Sequence, residues 1–505
     1  MKITFVHLGR ENLGIEYLSA SLKRAGHKVF LAHDPGLFSR EDNILYVPFL
    51  EKFFSRKKAV LNEVEKSNPD IVAFSVYTST YPWALDVAGE VKKKIGAKIV
   101  FGGIHATLVP ETVIQNDVVD YVVEGEGEGA LLDLVEALSS KKESLNIPNV
   151  WTRKNGTVVH TPIRPLIADL DSLPLPDKAL FEDGINHSDD YMIMTSRGCR
   201  FGCHYCCESY LRALYGKGYF RRRSVSSVIQ ELTEMKQKYN FKRVMFFDSV
   251  FFNDRKWLEA LLKEYQRKIS VPFRCQGHVA YADAEIIEMM KEAGCYGIDF
   301  GVQTFNEEIR KKILNRFETN EEIKKAFKNC DQAGLRYNVD LIFSLPLMKE
   351  DDYLFALEFV EGCRYLNRIK CFNLCYYPKL KITQKAKELG LISESDMAAF
   401  EKGAGGDFFH TDGIGDPAEK RMKDSFRKLY KVYPLLPGFF RRWMLGDKRY
   451  LCFHWLPKPM VVLAQLIIGI LHRDLRFYTY LSYYWGQLMK RYKYRYHDNK
   501  TYQKQ

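Results

Sequence analysis

The strongest constraint on this chain is an alternation of short apolar runs and helical stretches that occurs twice, with one proline-rich segment between. In the first series, residues 2–8 (KITFVHL), 28–32, 70–76 (DIVAFSV), 98–101 and 121–123 read as strands. Residues 13–25, 83–94 and 130–138 read as the helices between them, the first closed by Gly26 as a C-cap. The central runs are continuously apolar, the pattern of strands covered on both faces. Strands separated by helices specify an α/β, doubly wound (Rossmann-like) parallel sheet over residues 1–138. Ligands of such sheets sit beyond the C-terminal strand ends. Those ends carry Ser75, Tyr77, Thr78 and Ser79, then Gly102, Gly103 and His105, then Gly125 and Glu126, which are therefore the candidate binding residues.

Residues 139–190 lose the periodicity and contain Pro148, Pro162, Pro165, Pro174 and Pro176, so they read as a linker with a small hairpin at Asn155-Gly156. The second series follows over residues 191–391. Strands are expected at 191–195, 243–247, 273–276, 297–302, 336–343 and 368–375, with helices at 225–239, 256–268, 284–293, 321–333 and 353–365. Six such units form an open or partial (β/α)6 barrel whose reactive groups lie on the loops after the strands. With 46% apolar and 27% charged residues the chain can bury these cores, which excludes a disordered or collagen-like protein.

Cysteine is absent before Cys199, and an odd total of 11 does not read as a secreted disulfide framework. The first residues hold no long apolar core with a cleavage site, so a cytoplasmic chain is expected. Cys199, Cys203 and Cys206 are spaced C-x3-C-x2-C after the first strand of the second series. Thiolates hold iron–sulfur clusters, and three ligands on one loop leave one iron of a cubane open. Gly198 and Gly202 let the loop close around it. A zinc knuckle is the alternative, with His204 or Cys207 as a crowded fourth ligand. Cys207 reads as a packed thiol, as do Cys371 and Cys375.

This cysteine motif, with Tyr205 before its last member, resembles the radical S-adenosylmethionine (SAM) superfamily. The resemblance implies that Cys199, Cys203 and Cys206 hold a [4Fe-4S] cluster and that Tyr205, Asp248 and Gln303 contact SAM. Ser344-Leu345-Pro346 is similar to the family's Gly-Leu-Pro turn with Ser in place of Gly, and Tyr377-Pro378 to its Tyr-Pro-Gly-Thr stretch, from which Lys379-Leu380 departs. GGIHAT at 102–107 and EGEGE at 124–128, on a doubly wound domain ahead of the barrel, resemble the cobalamin (B12)-binding branch of that superfamily. No G-x-G-x-x-G follows the first strand, so the domain does not carry a nicotinamide fingerprint. The Asp-x-His-x-x-Gly motif that supplies an axial imidazole elsewhere is also absent; His33-Asp34-Pro35-Gly36 is only superficially similar. The tRNA methylthiotransferases share such a barrel but carry cluster cysteines in their first domain, which here has none. The expected function is methylation of an unactivated carbon of a small-molecule or lipid-like substrate, using SAM, cobalamin and a flavodoxin or ferredoxin as electron donor. Radical cyclisation, oxidation or rearrangement is the alternative within the class, and a metal knuckle binding nucleic acid the alternative outside it.

The formal charge of +12 is concentrated: residues 431–505 hold 14 Lys+Arg against three acids, or +11. This end of a mainly helical region, 392–505, also carries Trp443, Trp455 and Trp485, an apolar run over 459–471, and the basic run from Lys490 to Tyr496. The apolar run is too short to span a bilayer. Three readings stand: peripheral contact with the inner membrane face, a cap or lid on the barrel, and, ranked last, nucleic-acid binding.

Overall fold

The computed structural model describes residues 1–42, 46–141, 146–405, 416–472 and 481–489. Its first sheet has seven strands in the order β2-β1-β3-β4-β5-β6-β7. They are β1 (Lys2–Leu8), β2 (Lys28–Asp34), β3 (Ile71–Ser75), β4 (Lys98–Gly102), β5 (Tyr121–Val123), β6 (Val150–Lys154) and β7 (Thr157–His160). The first five are parallel, and the strand order reverses between β1 and β3, the switch point at which ligands of such sheets bind. One face packs Phe5, Val100 and Val123 against Ile15, Leu131 and Leu134 of the helices Leu13–Arg24 and Glu128–Ser139. The other packs Val72, Phe74 and Phe101 against Val60, Val64 and Val87.

Several elements of this domain were not visible in the alternation, the short helix Pro48–Phe54 among them. The helix Lys57–Ser67 buries only Val60 and Val64, a single i,i+4 pair that gives little periodic signal. The Asn155-Gly156 hairpin forms as expected, with φ of +49° and +79° at its two turn residues. It then pairs with β5 (Tyr121↔Thr152), so the sheet continues past residue 138 into the segment read as linker. The rest of that segment is stapled down by Lys178, whose ammonium reaches Glu11 at 2.5 Å, Glu16 at 2.9 Å and the Met192 carbonyl at 2.8 Å.

The second sheet comprises β8 (Tyr191–Ile193), β11 (Val244–Phe246), β12 (Phe273–Gly277), β13 (Cys295–Gln303), β14 (Tyr337–Phe343) and β15 (Leu366–Asn373), all parallel and in consecutive spatial order. This is the open six-stranded barrel. A two-residue ladder between β9 (Ser196–Arg197) and β10 (Arg221–Arg222) lies at its mouth. Barrel strands alternate: Ile298, Phe300, Tyr337, Val339 and Ile369 pack on the surrounding helices. Intervening residues meet one another on the opposite face, where Lys370 reaches Asp299 at 3.0 Å and Asp340 at 3.4 Å. The two domains share a core, since Ile309, Ile342, Leu345 and Tyr376 continue the cluster of Val72 and Phe74.

The C-terminal region is helical. Pro417–Val432 covers the edge strand β15 through Phe426, Leu429 and Tyr430, with Arg427 donating to Asn373 at 2.8 Å. Gly438–Leu445 and Lys458–Leu471 follow, and a helical stretch at 481–489 returns to the first domain, where Tyr484 donates to the Asp42 carboxylate at 2.6 Å. The basic run from Lys490 to Tyr496 lies outside the described residues. Among those residues no single helix is long and apolar enough to cross a membrane.

Candidate active site at the domain interface

The cysteine loop leaves β9 and enters the helix Cys207–Tyr215, with Cys206 as its N-cap. Gly198 is required by the backbone: its φ is +84°, and a Cβ there would lie 2.5 Å from the Tyr219 carbonyl. Gly202 holds the loop through its carbonyl, which accepts from Asn315 at 2.8 Å, while His204 bonds to Ile313 and Leu314. Cys203 is buried and Cys199 and Cys206 are half-buried. Burial pushes the Cys199 thiol up to about 12 and raises Cys203, while the neighbouring Cys207 and burial raise Cys206. Against this, the backbone N–H groups of Phe201 and Glu208 face the sulfurs of Cys199 and Cys206, and the Arg316 guanidinium lies beside Cys203. Thiolates in so dry a pocket need cations, and iron would supply them. The three thiols lie within one another's electrostatic reach. Yet among the described residues no three His, Cys, Asp or Glu groups converge as a single-ion site. Three thiols gathered on one short loop can each hold one iron of a cluster.

Tyr205 packs against the shared inter-domain core, and its hydroxyl accepts from Arg316 at 3.2 Å. Asp248 lies at the end of β11 with 1% of its surface exposed, and its carboxylate accepts from the Thr195 N–H (3.1 Å), the Thr195 hydroxyl (2.9 Å) and Ser196. Asp248 therefore holds the base of the cysteine loop, and its neighbours Phe247 and Ser249 face the site instead. Gln303 ends β13 at a register shift with φ of +70°, a conformation uncommon for a side-chain-bearing residue and concentrated at functional sites. Ser344 and Lys379, which depart from the glycines of the resembled motifs, have φ of +62° and +59°. The backbone geometry that favours glycine is thus retained at both positions.

Arg316 was not singled out in the sequence. It donates to Gly301 O (2.6 Å), to Tyr205 and to Glu318 (2.6 Å), tying the fourth barrel strand to the cysteine loop. Its only sequence signal is Arg-x-Glu in a loop, which is unspecific.

Facing this loop is a cavity of about 340 Å³. One side is built by Phe5, Ser75, Gly102, Gly103, Gly125 and Glu126, the strand ends of the first sheet; the other by Met194, Ser196, Arg197, Phe247 and Ser249 of the barrel. Of the expected binding residues, Tyr77, Thr78, Ser79 and His105 do not line it. His105 is fully buried beneath it, bonded to Thr78 at 3.0 Å and packed 4.4 Å from the Tyr81 ring, and burial lowers its pKa to about 4. Among the described residues no histidine lines the cavity.

The glycines play different parts. At Gly103 (φ +88°) a Cβ would come within 2.7 Å of Val76 N, and at Gly125 (φ +77°) within 1.8 Å of the Tyr215 hydroxyl, so the fold itself requires both. Gly102 has no such need, since a Cβ would meet Val123 O at an ordinary 3.6 Å. Its missing side chain leaves cavity space. With the apolar Phe5, Leu13, Leu18, Val123 and Leu131 around it, that space fits a flat, apolar part of a large ligand, such as the aromatic base of cobalamin's nucleotide tail.

Glu126 and Glu128 join the domains. The Glu126 carboxylate accepts from Arg221 at 2.7 and 3.0 Å and from Arg197 at 3.3 Å, and Arg197 reaches Glu128 at 2.5 Å. The Glu126 N–H donates to the Tyr215 hydroxyl at 2.8 Å.

Residues 10–135 match the B12 binding domain and residues 193–360 the radical SAM superfamily. An uncharacterized methyltransferase of Pyrococcus horikoshii is 31% identical over 293 residues, 56% of this chain and 62% of the relative, so the match spans less than two thirds of that protein. Cytidylyl-2-hydroxyethylphosphonate methyltransferase of Streptomyces wedmorensis is 25% identical over 66% of this chain and 69% of its own. In fold, the chain is similar to the cobalamin-dependent SAM radical enzyme OxsB, solved with aqua-cobalamin and SAM, at a TM-score of 0.67, 14% identity, 99% of this chain and 80% of that one. The radical SAM match replaces the metal-knuckle alternative. The chain thus carries a B12-binding domain followed by a radical SAM superfamily domain, the domain composition of cobalamin-dependent radical SAM enzymes.

Proposed function

We propose that this protein is a methyltransferase acting on an unactivated carbon of a small-molecule substrate, with an external electron donor such as a flavodoxin or ferredoxin. The observation that carries the reading is the single cavity running from Gly102, Gly103 and Gly125 to Ser196 and Arg197 beside the cysteine loop. It joins the strand ends proposed to hold cobalamin to Gly198 at the start of the cysteine loop, an arrangement that would let two cofactors address one substrate atom. When bound, the cluster with SAM supplies a 5′-deoxyadenosyl radical that removes hydrogen, and cobalamin supplies a methyl group. The chain's own residues hold, orient and enclose. Cys199, Cys203 and Cys206 supply three thiolates, and Asp248 fixes the strand end from which their loop departs. Arg316 links that loop to the end of β13, where Gln303 would contact SAM. Ser75, Gly102 and Gly103 shape the cobalamin side, and the Arg197–Glu126–Arg221 latch keeps both sides in register. Tyr77, Thr78 and Ser79, outside the cavity lining, are proposed only as supports of the loop after β3.

The test is anaerobic reconstitution with iron, sulfide, hydroxocobalamin and reductant. About four irons per chain, stoichiometric corrin uptake, and both 5′-deoxyadenosine and S-adenosylhomocysteine from SAM are expected. Deoxyadenosine without corrin uptake or S-adenosylhomocysteine would overturn methyl transfer in favour of radical cyclisation, oxidation or rearrangement. For location, the proposal is a cytoplasmic protein in peripheral contact with the inner membrane face through its C-terminal region.

A further inference from the structure

The segment 438–472 exposes more apolar surface than a solvated cap requires. The helix Lys458–Leu471 is rooted by one face: Val461 and Ile468 are buried, and Gln465 bonds to Arg368 and to the Lys431 carbonyl. Its other face presents Met460, Leu463, Leu466, Ile467, Ile470 and Leu471 to solvent without a charge among them, Leu463 and Ile470 being 56% and 57% exposed. Trp455, 83% exposed, and Phe439, 72% exposed, add further apolar surface on the preceding turns. Monomeric soluble proteins rarely leave a contiguous patch of this kind uncovered.

Composition selects the occupant. Residues 438–472 hold five Lys+Arg (Arg441, Arg442, Lys448, Arg449, Lys458) and one acid, Asp447. Arg442 and Lys458 are exposed, and Lys458 opens the helix that bears the apolar face. A second copy would set like charges against each other. An anionic bilayer surface instead offers headgroups to the cations and acyl chains to the aliphatic side chains, with Trp455 at the boundary. The segments Arg449–Trp455 and Lys458–Leu471 meet at 107°, so the pair cannot form a straight span, but each can lie in the interface.

We infer that the Trp455–Leu471 face, together with Arg442 and Lys458, seats this protein on an anionic membrane surface. The inference deepens the peripheral contact proposed for the C-terminal region and rests on it.

Co-sedimentation of the full chain tests it with phosphatidylglycerol vesicles and with phosphatidylcholine vesicles, using three proteins: wild type, W455Q/L463Q/I470Q and R442Q/K458Q. All five substituted side chains are exposed, and SAM cleavage without vesicles reports that each variant is folded. Wild type should pellet with the anionic vesicles. The apolar-face variant should lose binding by about tenfold or more, and R442Q/K458Q by several-fold with a weaker salt dependence. Wild type remaining in the supernatant on both lipids would overturn the membrane contact itself. Pelleting of the apolar-face variant equal to wild type would overturn only the assignment to this face. A wild-type dimer that ignores vesicles and dissociates in W455Q/L463Q/I470Q would give the face to a second copy and refute the inference.

Discussion

Glu126→Gln should unlatch the two domains while leaving each folded. The amide preserves shape and one acceptor but removes the charge faced by Arg221 and Arg197, whose side chains are 8% and 17% exposed against 16% for Glu126. Removing one partner of a buried pair costs about 3–5 kcal/mol. Residual exposure lowers that here, and Glu128 still neutralises Arg197 at 2.5 Å. A cost of about 2–3 kcal/mol follows, and with it a rise of ~30- to ~150-fold in the population whose domains part. Native-state hydrogen exchange reads this directly, because the Glu126 N–H is donated across the interface to Tyr215. Its exchange should accelerate by that factor, while amides in β3 and β14 keep wild-type protection. Tyr215→Phe, which removes only the acceptor, should accelerate the same amide by several-fold, matching about 1 kcal/mol.

The pH dependence has a definite sign. Burial pushes the Glu126 carboxyl up, but Arg221, Arg197 and the Ile167 N–H together hold it below the usual carboxylate range. A carboxyl depressed in the folded state stabilises it above the unfolded value, near 4.3, and loses that stabilisation as pH falls through the lower folded value. Interface protection should therefore hold through mildly acidic pH and fade only in strong acid, and Glu126→Gln should abolish that acid-side dependence. Wild-type exchange at the Glu126 amide in the variant would refute the latch.

Three further outcomes are expected. Cys203→Ala should abolish cluster assembly, read as iron content and absorption near 400 nm, whereas Cys207→Ala should retain both; full deoxyadenosine production by Cys203→Ala would sink the ligand assignment. Gly102→Leu should fold normally yet block hydroxocobalamin uptake, because its side chain enters the cavity, whereas Gly103→Leu should disturb the fold through its contact with Val76; corrin uptake by Gly102→Leu at wild-type stoichiometry would contradict the placement of that ligand. Ser344→Gly should raise the urea midpoint by relieving a φ of +62°, a gain of about 0.5–1 kcal/mol after the entropy of the added glycine, and a lowered midpoint would show that the serine side chain makes a compensating bond.

The two kinds of strand explain what was legible in the sequence. In IVAFS of β3 both faces are buried by helices, so the run is continuously apolar and its type is plain. In YNVDLIF of β14 the outward residues Tyr337, Val339 and Leu341 alternate with Asn338 and Asp340, and the period of two survives because the inner face is polar. The cysteine loop was legible because its spacing is chemistry that few other structures need. Asp248 was placed at the right strand end but cast as a SAM contact, since a sequence shows that an acid follows a strand and not that Thr195 and Ser196 occupy its oxygens. His105 shows the same limit: a histidine beside two glycines looks available, yet in its contacts with Thr78 and Tyr81 it is fully buried.

What the sequence concealed was the interface. Gly125 and Glu126 stand in a run that resembles a cofactor site, and Gly125 does line the cavity. Its lack of a side chain is nevertheless spent on Tyr215, which comes so close that a Cβ would have to displace its hydroxyl. Glu126 likewise faces the ligand space while its charge is committed to Arg197 and Arg221. Their partners lie 71 and 95 residues away, in a segment whose own motif concerns iron rather than docking. One short loop therefore shapes the cofactor cavity and fixes the domain that bears the cysteines. Any change that loosens the latch must also move the two cofactor sites relative to each other. Chemistry that depends on two cofactors meeting at one atom should accordingly be more sensitive to Glu126 than is the binding of either cofactor alone.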